Sequence, residues 1–211
     1  MTTARETTLP AGLAPLKITC TSTDCGADLH CFKSTQKLAE ENKVGACRSC
    51  GVELIDWDRV HGRELADVAF VFEQLRHEFI RHYFWHLAFD EKAMNHARRK
   101  GRRKLHDAAR KRIASSVGRA GSAYDGRQTP RGGNTIFYAQ HATASCCRTC
   151  IEYWHDIPKD RDLTTDELEY LSALVTTYLD ERLLDLDDEP MKVSVKRSAK
   201  PARQDGDSGG D

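Results

Sequence analysis

The amino-acid sequence predicts an α+β fold with an N-terminal zinc ribbon, a long central helix, a small C-terminal strand-plus-helix unit and a disordered tail. Three observations predict this arrangement. Cysteine pairs mark a zinc-ribbon module in residues 17–60, and residues 61–117, with no proline and few glycines, form a helical region with a basic end. A second cysteine group follows a short apolar run in a CCxxC domain, residues 127–189. The polar composition of residues 190–211 predicts the tail.

The overall composition limits the classes of protein to which the chain can belong. Its 211 residues include 32 Lys+Arg and 32 Asp+Glu, so the net charge favours neither an acidic nor a basic partner. No apolar run is long enough for a membrane span, and residues 1–16 lack the apolar stretch of a signal peptide. We therefore expect a cytoplasmic protein with no membrane partner. Its eight cysteines are then metal ligands or reactive thiols rather than disulfides.

The N-terminal module contains two short cysteine pairs, each followed by glycine. Cys20 and Cys25 are separated by four residues, and Cys47 and Cys50 by two. Glycine after the second cysteine suits a zinc knuckle, because a tight turn lets backbone N–H groups approach the sulfurs. Since structural zinc takes four ligands in tetrahedral geometry, we predict one zinc ion bound by these four cysteines. Cys31 is predicted to be a buried residue rather than a ligand.

The central helical region carries three polar residues on its apolar face. On a helical wheel of residues 65–94, His82, His86 and Asp90 share the face of the apolar side chains. Two histidines four residues apart can bind one metal ion, and an aspartate one turn further on can add a ligand or orient a ring. The pattern equally fits buried polar groups that hydrogen-bond to a neighbouring segment, so a metal or catalytic role is one of two interpretations.

The end of the helical region is strongly basic, with ten Lys/Arg and one acidic residue between Arg98 and Arg119. Such a density of positive charge suits nucleic-acid phosphates. The segment can instead be a solvated helix face, or it can pair with the acidic region 160–189. The candidate nucleic-acid contacts are Arg98, Arg99, Lys100, Arg102, Arg103, Lys104, Arg110, Lys111 and Arg112.

The C-terminal unit begins with an apolar run, Ile136–Ala139, that predicts a buried strand. Cys147 and Cys150 follow in the first turn of a predicted helix, where the helix dipole favours thiolates. With His141 and Cys146 they form a candidate second metal site, so we expect one zinc ion and allow for a second. A redox-active or nucleophilic cysteine, or plain packing, also fits the pattern.

The stretch AQHATASCCRTCIEYWHDIPKDRDLT, from Ala139 to Thr164, resembles a small bacterial family classed as a domain of unknown function. Members of that family carry the pattern AQHATxxCCRxCxxxWHxIPxxxxLT. The resemblance covers about residues 127–185 and leaves the zinc module and the basic segment outside. It implies membership of the family and no established activity.

The last helix has its own start signal. Thr164 is the predicted N-cap and Glu167 its capping-box partner. Apolar residues then follow at helical spacing as far as Leu179, so we expect this helix to pack against the core.

These observations favour a zinc-stabilised module that binds nucleic acid or assembles with a nucleic-acid-processing protein complex. The alternative is a metal-dependent hydrolase, such as a nuclease, with catalytic residues drawn from His82, His86, Asp90 and Cys147. Two buried polar clusters in one small domain must satisfy each other. We therefore predict that the two histidines and the CCxxC cysteines face one another across a single pocket.

Overall fold

The computed structural model describes residues 18–121 and 127–193, and within these ranges the protein is helical. The predicted α+β class is wrong, because strand pairing in the described ranges is limited to two isolated bridges, Asp24–Leu29 and His30–Glu78. Residues 1–16, for which the sequence predicts no signal peptide, lie outside the described residues. So do all but the first four residues of the predicted tail. The helices are α1 (Gln36–Glu40), α2 (Trp57–Gly62), α3 (Val68–Arg76), α4 (Phe79–His86), α5 (Glu91–Ser116), α6 (Thr135–Ala142), α7 (Arg148–His155) and α8 (Thr165–Arg182), with short 3-10 turns at Cys25–Ala27 and Leu65–Asp67.

The run Ile136–Ala139, predicted as a strand, belongs to helix α6. This helix packs against α4, α5 and α8, and all of its residues except Phe137 are buried. A helix that is buried on every side shows no amphipathic period, so a short apolar run cannot be told from a buried strand by pattern alone. The start signal is Asn134, whose side chain accepts a hydrogen bond of 3.0 Å from the backbone N–H of Ile136.

The predicted single long helix is divided into α3, α4 and α5. Between α3 and α4 the backbone pairs with the N-terminal region. The N–H of His30 donates to the carbonyl of His77 at 2.8 Å, and the N–H of Phe79 donates to the carbonyl of His30 at 2.8 Å. These bonds replace the helical ones, and Glu78 adopts an extended conformation between the two helices. The helical-wheel projection across residues 65–94 therefore placed residues on a face that the chain does not form.

Helix α5 is interrupted at Gly101, whose φ of 70° and ψ of 165° are non-helical. The chain after α8 crosses at this break. The N–H of Arg102 donates to the carbonyl of Asp187 at 2.8 Å, and the N–H of Met191 donates to the carbonyl of Arg98 at 2.8 Å. A Cβ atom at position 101 would lie 2.5 Å from the carbonyl oxygen of Asp188, so only glycine fits here.

Helix α8 begins as predicted. The hydroxyl of Thr164 accepts a hydrogen bond from the N–H of Glu167, and the Glu167 carboxylate accepts one from the N–H of Thr164. Its apolar residues, including Leu171 and Leu179, are buried against α5 and α6. In the described ranges, no helix combines the length and apolar character that a membrane span requires.

Candidate metal centre

Four side chains of the N-terminal region form a first cluster: Cys25, His30, Cys47 and Cys50. Their ligand atoms all lie within 4.8 Å of one another. Cys25 opens a 3-10 turn, and Cys47 and Cys50 flank a tight turn in which the N–H of Gly51 donates to the carbonyl of Cys47 at 2.8 Å. Gly51 has a φ of 79°, which explains the glycine of the second knuckle.

The separations within the first cluster match tetrahedral zinc. With Zn–S bonds of about 2.3 Å and Zn–N bonds of about 2.0 Å, two sulfurs lie about 3.8 Å apart, and a sulfur and an imidazole nitrogen about 3.5 Å apart. The sulfurs of Cys25 and Cys47 are 3.9 Å apart. The sulfur of Cys50 lies 3.5 Å from Nδ1 of His30. An ion therefore fits at the centre of the cluster with little movement of its ligands.

The imidazole of His30 is oriented by a carboxylate outside the cluster. Its Nε2 lies 3.0 Å from Oδ1 of Asp28, while its Nδ1 faces Cys50. Donation of the Nε2 proton to Asp28 leaves the lone pair of Nδ1 directed at the cluster, the arrangement found around metal-binding histidines. The second oxygen of Asp28 lies 3.5 Å from Nδ1 of His77, at the end of α3.

The backbone around Cys47 stabilises a thiolate. Burial alone would raise the pKa of this thiol, but hydrogen bonds from the backbone N–H groups of Cys31, Ser49 and Cys50 and from the His30 ring lower it to about 6. Burial and the neighbouring sulfurs of Cys50 and Cys47 raise the pKa of Cys25 to about 11. Three crowded sulfurs repel one another as thiolates, and a divalent cation removes this repulsion.

The structure brings Cys25, Cys47 and Cys50 together as the sequence predicts, but His30 stands beside them where Cys20 was expected. Cys20 lies instead next to Cys150, and its sulfur accepts a hydrogen bond of 3.5 Å from Nε2 of Gln128. The missed signal is the spacing of Cys25 and His30, since four intervening residues are common between zinc ligands. Cys31, predicted as a buried non-ligand, is fully buried and lies outside both cysteine clusters.

A second cluster contains Cys146, Cys147 and Cys150, whose sulfurs lie within 4.8 Å of one another. Cys147 is the N-cap of α7, which begins at Arg148, so Cys150 lies in the first turn as predicted and Cys147 immediately precedes it. His141, predicted as a further ligand, is not in this group. Its Nε2 bonds to the carbonyl of Thr129 at 2.9 Å and its ring stacks on Phe84, while burial lowers its pKa to about 4.

The second cluster rests on a buried ion pair. The guanidinium of Arg81 donates to the sulfur of Cys150 at 3.2 Å and to the carbonyl of His141 at 2.7 Å. Its Nε donates to the carboxylate of Glu78 at 2.8 Å. Glu78 also accepts hydrogen bonds from the hydroxyl of Tyr153 and from the indole of Trp154. Both charged side chains are fully buried, so the ion pair holds the guanidinium in place as a hydrogen-bond donor to the thiols.

The histidines of α4 do not reach the second cluster. The rings of His82 and His86 lie against each other with centroids 4.2 Å apart and planes tilted by 36°, and His86 is exposed. Asp90 is the N-cap of α5, and it accepts hydrogen bonds from the N–H of Gly133 and the hydroxyl of Tyr138. Across residues 18–121 and 127–193, no group of three potential ligands includes any of these residues. The cleft that Cys147 lines has neither histidine nor Asp90 among its lining residues, so it is not the shared pocket that was predicted.

The basic segment lies on α5, and the structure divides its side chains into two sets. Arg102 turns toward the acidic C-terminal region, where it bonds to Asp180 at 2.7 Å, and Arg103 pairs with Glu189. Arg112 lies over the ring of Phe137 at 5.0 Å. The remaining basic side chains are exposed, except for the half-buried Lys100: Arg98, Arg99, Lys104, Arg110 and Lys111.

Comparison with known proteins gives a match to one family model. A family model described as a domain of unknown function (DUF4186) matches residues 69–180. The match is longer than the resemblance seen in residues 127–185, and it includes the basic segment and the second cluster. The first cluster precedes it. No solved structure matches the chain.

Proposed function

Because the chain belongs to the DUF4186 family, whose description gives no activity, we propose from the geometry that the protein is a zinc-stabilised module that binds nucleic-acid phosphates. The geometry of the first cluster supports the zinc-binding part of this proposal. Three sulfurs and one oriented imidazole form a closed set of four protein ligands, which is the composition of a structural zinc site. The region from Cys20 to Asp56 has one helix of five residues, so a metal staple supplies stability that its small core lacks.

The proposal of nucleic-acid binding rests on the exposed basic side chains of α5. Lys104, Arg110 and Lys111 are exposed, and within the described residues none of them makes an ion pair. Residues 104 and 111 are separated by two helical turns, so their side chains project from the same side of the helix. Asp107 is the single acidic residue among them. A row of cations of this kind suits a phosphate backbone rather than base edges, and we expect binding with little sequence preference.

Removing two lysines from this face tests the proposal. We expect Lys104→Ala with Lys111→Ala to weaken binding of fluorescently labelled DNA and RNA, measured by anisotropy over a range of salt concentrations. The loss of two phosphate contacts should lower the slope of log K against log salt by about 1.4 to 1.8.

Lys37→Ala with Lys43→Ala is the matched control, since these two exposed lysines lie in the N-terminal region, and it should bind as the wild type does. An equal effect of both double variants, or wild-type binding that does not depend on salt, would contradict the proposal.

A further inference from the structure

We infer that Cys20 joins Cys146, Cys147 and Cys150 in a second zinc site with four thiolate ligands. This site is independent of nucleic-acid binding. It also differs from the first cluster in having no histidine.

The positions of the sulfurs carry the inference. Cys146, Cys147 and Cys150 already lie within 4.8 Å of one another, and tetrahedral zinc needs separations of about 3.8 Å. Cys20 approaches from a different part of the chain and lines the same cleft as Cys147 and Cys150, although its sulfur lies outside the group of three that are within 4.8 Å of one another. A movement of Cys20 toward these three sulfurs completes the coordination sphere.

The N-terminal segment that carries Cys20 is held in place by hydrogen bonds on both sides. Nε2 of Gln128 donates to its sulfur, and the thiol of Cys31 donates to its carbonyl oxygen at 3.4 Å. Two residues earlier, the guanidinium of Arg131 donates to the carbonyl of Ile18 at 2.7 Å. Cys20 is thus anchored by contacts that do not involve Cys146, Cys147 or Cys150.

The surroundings supply a hydrogen-bond donor and a helix N-terminus, both of which stabilise thiolates. Zinc with four thiolates has a net charge of −2. The buried guanidinium of Arg81 donates a hydrogen bond to the sulfur of Cys150, and Cys147 lies at the N-terminus of α7, where the helix dipole favours a thiolate. These are the interactions that surround thiolate ligands in zinc sites.

An ion can reach the site from solvent. Cys20, Cys147 and Cys150 line one open cleft with a volume of about 530 Å³, together with Lys33 and Tyr153. A redox-active pair requires only two thiols, and simple packing requires none. The convergence of a fourth cysteine from more than a hundred residues away is explained by a metal ion.

Zinc stoichiometry of the full chain tests the inference, measured by native mass spectrometry. We expect two zinc ions in the wild type and one in Cys20→Ser. The control variant Thr21→Ala, at an exposed position next to Cys20 and with no metal ligand altered, should keep two. Cobalt substitution identifies which ion is lost: Cys20→Ser should retain the spectrum of a site with three sulfurs, and Cys25→Ser that of a site with four.

Each outcome decides the matter. Two zinc ions in Cys20→Ser would remove Cys20 from the site. One zinc ion in the wild type that persists in Cys147→Ser would overturn the second site and leave the first intact. If Cys20→Ser does not fold, X-ray absorption of the wild type decides: the inference requires an average of about 3.5 sulfurs per zinc, and three sulfurs per zinc would refute it.

Discussion

Replacing Asp28 by asparagine tests the role of His30, the one ligand of the first cluster that the cysteine pattern does not reveal. The carboxylate lies 3.0 Å from Nε2 of His30 and contacts none of the cysteines. In Asp28→Asn the neutral amide orients the ring less firmly and gives Nδ1 less electron density. Zinc affinity should therefore fall although every ligand remains.

The size of the effect follows from the setting of Asp28. Loss of a carboxylate that orients a metal-binding histidine weakens metal affinity by about 10-fold to 100-fold. The Asp28 side chain is 70% exposed and also lies near His77, so water screens its charge and the contact with His30 is not its only one. We expect the lower end of the range, about a tenfold loss.

Competition with a chromophoric chelator measures this loss. The measurement is made in a Cys147→Ser background, which removes competition from the second cluster. Asp24→Asn is the matched control, because it makes the same change of charge at an exposed position near the cluster and its side chain caps nothing. If both variants bind zinc as tightly as the parent, His30 is not a ligand of the kind described above.

Two further predictions concern stability. Gly101→Ala should lower the free energy of unfolding by about 2 kcal/mol or more, since position 101 has a backbone conformation nearly restricted to glycine and a Cβ there meets the chain at Asp188. Urea denaturation measures the change, and Gly121→Ala, at positive φ but in open space, should cost about 1 kcal/mol; equal effects would contradict the role of the crossing chain. Glu167→Gln keeps the capping box but removes the ion pair with Arg161. This ion pair lowers the pKa of Glu167 from 4.5 to about 2. A lowered pKa stabilises the fold above about pH 4.5 and less as the pH falls toward 2, so the wild type should exceed the variant at pH 6 and converge with it near pH 2; a constant difference in urea midpoint would show that charge is not the cause.

The start of α8 was predictable because its signals are local. Thr164 and Glu167 lie three residues apart and cap the helix without help from distant parts of the chain. The Cys47 and Cys50 turn is partly local in the same way, since the N–H groups of Ser49 and Cys50 face the Cys47 sulfur, but the N–H of Cys31 comes from a distant segment. Helix α6 was missed because its residues are buried on all sides, so that its sequence contains no contrast between an inner and an outer face.

The ligand sets were harder to predict, because ligands are selected by contacts between distant segments. Cys20 and Cys25 form a plausible pair in the sequence, yet the chain turns between them and Cys20 lies against residues near position 150. The basic segment shows the same limit. Its charge is evident from composition, but the engagement of Arg102 with Asp180 depends on how α5 and α8 pack.

The segment from His77 to Arg81 touches both cysteine clusters. Its backbone pairs with His30, and its buried Glu78–Arg81 pair holds the thiol of Cys150. If both clusters bind an ion, this shared segment would couple the two sites, so that binding at one would change the affinity of the other. Such a linkage would be reciprocal.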